Sequence, residues 1–196
     1  MTFELMPFVQ TPERAEIISY ILRNVARHET LFSGFASPCE ASCVTARTLP
    51  EMCHLCKLRM ATVATVLSAP STRTFEVWDE TPAVVGIIYF SDIAPSLDAK
   101  GHYVFFDGKL NSKTAIVQEA IDAMMEEFAL SRLTIEIPVP FVALAKHAAR
   151  KLGFGGRFRY KGGLMVEGVK RDAARWRGEL VDLLILGRAR SASTKG

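Results

Sequence analysis

Two textures of apolar residues alternate along the chain, and the first change between them falls near residue 70. Ile17, Ile18, Ile21, Leu22 and Val25 recur at the 3.6-residue period behind Pro12-Glu13, which predicts a first helix. Residues 28–50 lose that rhythm, with Gly34, Pro38 and Pro50 as breaks. A second helix is predicted over 53–67, with Leu55, Leu58, Val63 and Val66 as its apolar positions. Past the breaker Ala69-Pro70-Ser71, short β-branched and aromatic runs take over. Residues 75–78 and 84–90 read as a hairpin around Asp79-Glu80-Thr81-Pro82, and 102–106 as a third strand. Residues 113–129 form the clearest helix of the chain. Val117, Ala120, Ile121, Met124 and Phe128 share one face, and Gln118, Glu119, Asp122, Glu126 and Glu127 take the rest. A strand over 133–137 ends at Pro138 and Pro140. A helix follows with Phe141, Leu144, Ala145, Ala148 and Leu152 on one face, stopped by Gly153. Two last strands lie around 164–169 and 181–186, and the small, basic tail from Arg188 is expected to be disordered.

Composition leaves this picture globular. The chain has 196 residues, 49% hydrophobic and 23% charged, enough to bury one α/β-sized core. No apolar run approaches the roughly 20 residues of a membrane span. The start Met1-Thr2-Phe3-Glu4-Leu5 lacks a basic, cleavable leader, so the cytoplasm is the expected compartment and no membrane partner is expected. Net charge is +3, yet between Lys146 and Arg177 the local balance reaches +8. That stretch reads either as a solvated basic face or as a surface that meets phosphate.

All four cysteines, Cys39, Cys43, Cys53 and Cys56, fall in one C-x3-C-x9-C-x2-C pattern. Two close pairs across a loop can supply four thiolates to zinc. The same spacings place small hydrophobes on a helix face, so structural zinc and buried thiols stand side by side as readings, with redox use behind them.

The run Ala148-Ala149-Arg150-Lys151-Leu152-Gly153-Phe154, followed by Gly156-Arg157-Phe158-Arg159, resembles the C-terminal half of the GNAT acyltransferases (Gcn5-related N-acetyltransferases). The element order from Phe75 onward agrees, and Val181-Asp182 before Leu183 resembles that family's closing strand. The resemblance covers about residues 70–187. It implies an α/β fold: a mixed, mostly antiparallel sheet with a splayed parallel strand pair, helices on both faces and a helical N-terminal region. One domain is implied over 1–187, with 1–70 helical and bearing the cysteines, 71–187 the core, and 188–196 a tail.

By the same resemblance, acyl-CoA lies between the strands at 102–107 and 133–137, where unpaired backbone groups accept its pantetheine arm. Phe105, Phe106 and Asp107 hold that edge. The pyrophosphate is expected on the next helix N-terminus, at Lys109, Leu110, Asn111, Ser112, Lys113 and Thr114. The family pattern Gln/Arg-x-x-Gly-x-Gly/Ala has no match there. Either the lysines and hydroxyls compensate or the loop has lost CoA. A second departure is that Val142 and Ala149 stand where many members carry Asn and an acid Tyr. Tyr103, Tyr160 or water is left for the acid role. General-base candidates are His102, Asp107 and Glu136, with Glu76 on the hairpin. Strand alternation puts His102 on the opposite face from Tyr103 and Phe105.

The leading expectation is acetyl transfer from acetyl-CoA to a primary amine. The alternatives are a non-catalytic GNAT-fold binding protein and a zinc-stabilised, nucleic-acid-associated protein. Nucleic acid stays open as a partner without being favoured, and a monomer and a homodimer are both compatible with the sequence.

Overall fold

The computed structural model describes residues 3–9, 11, 14, 53–106, 113–138, 158–159, 164–176 and 179–190. Among them β1 spans Phe3–Pro7, α1 His54–Ser68, β2 Arg73–Asp79, β3 Val84–Ala94 and β4 Asp98–Phe105. Then come α2 at Lys113–Glu127, β5 at Arg132–Pro138, β6 at Phe158–Arg159, β7 at Met165–Trp176 and β8 at Glu179–Ala189. The strands form one eight-stranded sheet in the order β1-β2-β3-β4-β5-β8-β7-β6. Every neighbouring pair is antiparallel except β4 and β5. This is the mixed sheet expected, with α1 and α2 on opposite faces.

α2 covers one face with its apolar stripe. Val117, Ala120, Ile121 and Met124 are buried against Phe75, Phe90, Leu133, Ile135, Leu184 and Leu186. Phe75 meets Phe90 edge-on, with centroids 6.3 Å apart. The helix stops two residues before the expected end. Phe128 N–H still bonds Met124 O, but Ala129 turns left-handed at φ 52° and its N–H reaches Glu126 O.

The other face carries a smaller core of Val63, Leu67, Ile87 and Tyr89, with Phe8, Val66 and Phe106 at its margin. Thr74 Oγ1 donates to Leu67 O at 3.0 Å and ties β2 to the end of α1. Leu58 is 53% exposed, not a core position as its apolar character suggested. It lies five residues before Val63, off the stripe that faces the sheet.

Two boundaries differ from expectation. β1 is a strand within the region read as helical: Phe3 and Leu5 pack on the main core while Glu4 and Met6 point outward. Pro7, which cannot donate to a ladder, ends this edge strand. At the other end β8 continues through Arg188 and Ala189, residues assigned to the disordered tail. Arg188 pairs with Asp122 and Arg190 donates to Met125 O, so the strand end is fastened to α2. The first helix expected behind Pro12 and the helix at 141–152, including Lys151-Leu152-Gly153-Phe154, lie outside the described residues.

Candidate active site

The sheet opens between β4 and β5. β4 pairs with β3 from Lys100 to Phe105, and β5 pairs with β8 along its whole length, from Arg132↔Ala189 to Pro138↔Leu183. Between β4 and β5 the ladder holds only Lys100↔Thr134 and Gly101↔Ile135, although both strands continue. The closed end is pinned. Ser131 and Arg132 N–H groups both donate to Leu97 O, at 3.0 and 2.9 Å, and Thr134 Oγ1 donates to Asp98 Oδ2 at 3.1 Å. Beyond Gly101 and Ile135 the ladder ends while β4 and β5 continue, as a splayed pair requires; of the range 102–107, Asp107 lies outside the described residues.

The two-residue period sorts the side chains around this opening. Tyr103 and Phe105 share the α2 face with Ile135 and Ile137. Lys100 and Thr134 are level on the α1 face, so His102 and Glu136 are the first side chains on that face beyond the last pair. Two residues separated by 34 positions are thereby brought to the two lips of one opening.

His102 stacks on Tyr89, with ring centroids 4.6 Å apart and planes 14° from parallel. Its Nε2 and Ser91 Oγ share a hydrogen bond of 3.2 Å whose direction follows the imidazole tautomer. Burial is the main influence on the ring and lowers its pKa from 6.5 to about 4, against the opposing pull of Glu136. The imidazole is therefore neutral at physiological pH. Glu136 is mostly buried, and its Oε1 is ion-paired with Lys170 Nζ, which reaches over from β7. Lys100 is engaged elsewhere, by Asp92 at 2.8 Å.

The remaining candidates separate. Tyr103 lies on the α2 face, tilted against Phe105 at 5.8 Å, away from His102 and Glu136. Phe105 and Phe106 are partly buried against different cores, one on each side of the sheet. Glu76 is fully buried on β2, two strands from β4. Its Oε2 accepts from Trp78 Nε1 at 2.8 Å and meets Arg14 Nη1 at 3.0 Å, while Oε1 has no hydrogen-bond partner among the described residues. Burial raises the Glu76 carboxyl above the usual carboxylate range, and the Trp78 and Arg14 contacts only partly oppose this.

Asp107, Lys109, Leu110, Asn111, Ser112 and Tyr160 lie outside the described residues, as do Val142 and Ala149. Lys113 and Thr114 open α2, whose first turn has no acidic residue. Of the cysteines, Cys39 and Cys43 are not described, Cys53 immediately precedes α1 and Cys56 lies in it. Among the described residues no group of three or more His, Cys, Asp or Glu side chains could hold a metal ion, and the cysteine pattern lies largely outside those residues. The basic stretch is partly internally neutralised, Lys170 by Glu136 and Arg171 by Asp182 at 2.5 Å. Asp182 also accepts the Asp172 N–H, which holds a bulge of β7. Sequence reasoning missed Lys170, Tyr89 and Ser91, whose placement depends on strand register.

No family model matches the sequence, and no significant relative is found among curated proteins. Solved structures do match. The spermidine N-acetyltransferase of Vibrio cholerae, solved with CoA and spermine, superposes with a TM-score of 0.64 at 14% identity, covering 96% of each chain. The ribosomal-protein-S5-alanine acetyltransferase of Vibrio fischeri gives 0.58 at 18% identity, over 96% of this chain and 93% of its own. The chain has the GNAT fold. At these identities the likeness concerns architecture. No helix among the described residues is long and apolar enough to cross a membrane.

Proposed function

We propose that the protein is an N-acetyltransferase that moves an acetyl group from acetyl-CoA to a primary amine. The observation that carries this reading is the two-pair β4–β5 ladder with His102 and Glu136 at its first open positions. A splayed strand pair suits an amide-bearing pantetheine arm, which hydrogen-bonds like an added strand. The first turn of α2, free of acidic side chains, suits the pyrophosphate, with Lys109, Asn111, Ser112, Lys113 and Thr114 as its proposed ligands. Acetyl-CoA supplies an activated carbonyl and a thiolate leaving group.

The protein's own contribution is to position the amine and accept its proton. An amine arrives mainly as an ammonium ion and must be neutral to attack. Glu136 attracts the cation and takes its proton, directly or through water, and the neutral His102 offers a second acceptor on the facing lip. Asp107 remains a candidate. The acid that protonates the departing thiolate is assigned to Tyr160 or water, because Tyr103 faces the other layer. Fold relatives act on spermidine and on a ribosomal protein, and both uses are compatible with an amine acceptor here.

The test is acetyl transfer to a panel of polyamines, peptide N-termini and lysine peptides, followed by product mass. Transfer to at least one class is expected. Glu136→Gln should lower kcat by roughly 10²- to 10⁴-fold, the usual contribution of a positioned base. An undiminished rate in Glu136→Gln would remove that residue from the mechanism.

A further inference from the structure

Lys170 is itself a primary amine, and it already occupies the carboxylate proposed to receive the acceptor. Register explains how. Lys170 is level with Leu183 on β8, and Leu183 is level with Pro138 on β5. Lys170 thus stands one row beyond Glu136, toward the open side of the splay, and on the same face of the sheet. From there its side chain crosses β8 to Glu136 Oε1. Its side chain is half exposed. Lys100 is the natural comparison: it sits within the closed ladder and its ammonium is held by Asp92 on β3.

We infer that Lys170 is an internal acceptor, acetylated on Nζ by the protein's own acyl-thioester chemistry. This rests on the acetyltransferase reading. In the step, Glu136 takes one proton from the Lys170 ammonium and the freed amine attacks the thioester carbonyl. The N–C bond forms, the C–S bond breaks, and the thiolate leaves to be protonated as free CoA. The remaining N–H proton lost on amide formation passes to the same thiolate or to water. Acetylation abolishes the charge on Lys170, so the ion pair is lost and the Glu136 carboxylate becomes available to an external ammonium. The same geometry defines the acceptor class as a flexible aliphatic ammonium, which is what Lys170 presents.

The experiment incubates purified full-length protein with acetyl-CoA, or with CoA as a control. Peptide masses are read over time, and the melting temperature of the same samples is measured. The expected result is acetylation of Lys170 ahead of Lys100, at a first-order rate independent of protein concentration, only with the thioester. Lys170→Arg keeps the cation and should lose the modification, and Glu136→Gln should slow it by at least about a hundredfold. A melting shift with acetyl-CoA but no modification of Lys170 overturns this inference and leaves the acetyltransferase reading standing. Modification of Lys170 and Lys100 at equal rates, or an unchanged rate in Glu136→Gln, overturns it as well. Absence of any melting shift overturns both.

Discussion

Protonating His102 should destabilise the fold, and the size of the effect follows from its surroundings. Burial against Tyr89 lowers its pKa from 6.5 to about 4. The unfolded chain therefore binds this proton in a window where the native state does not. The stability contributed is complete above pH 6.5 and is lost as pH falls through about 4. Between about pH 7.5 and about pH 4.5 the linkage amounts to roughly 2.5 kcal/mol for this one group. Urea denaturation of the wild type and of His102→Gln at the two pH values isolates it, because Gln can still bond Ser91 Oγ and does not titrate. The wild type should lose about 2.5 kcal/mol more than the variant on acidification. A histidine resonance assigned by the same substitution should remain that of a neutral ring at pH 6. Parallel losses in the two proteins, or a His102 resonance titrating near 6.5, would refute the burial argument.

Glu76 should show the opposite sign. Its carboxyl is raised, so its contribution is present below the ordinary carboxylate pKa of 4.5 and is lost as pH rises through the raised value. Glu76→Gln should gain stability relative to wild type between about pH 4 and about pH 7, and an unchanged difference in urea midpoints would contradict this. Phe90→Ala removes a side chain only 1% exposed and its edge-on contact with Phe75, and should cost about 3–5 kcal/mol in urea unfolding. Ala129→Gly should raise stability by about 0.5 kcal/mol, since Ala129 holds φ 52° where glycine escapes the left-handed penalty.

Local pattern made much of the fold legible and left register to the structure. The stripe Val117, Ala120, Ile121 and Met124 defined α2, and alternation correctly parted His102 from Tyr103 and Phe105. β1 escaped because Phe3-Glu4-Leu5-Met6 offers too few alternating positions to stand out from a turn. Leu58 was misplaced because it lies off the stripe of Val63 and Leu67 that faces the sheet, so apolar character alone did not locate it. The site was legible as residue types on strands. What no local pattern holds is where the β4–β5 ladder ends, and this alone makes His102 and Glu136 neighbours across one opening. The Glu136–Lys170 contact is more remote still, since it depends on β8 lying between β5 and β7 and on the bulges that set the β7 register.

The proposed activity requires the opening between β4 and β5 to be an acyl-CoA site, and the melting temperature with and without acetyl-CoA tests that most directly. A ligand bound only by the native state stabilises it by about 2.7 kcal/mol at a hundred times its Kd. For a chain of this length that is a rise of roughly 5–10 °C. The expected result is a rise that grows with acetyl-CoA concentration. An unchanged melting temperature at millimolar acetyl-CoA would contradict the account.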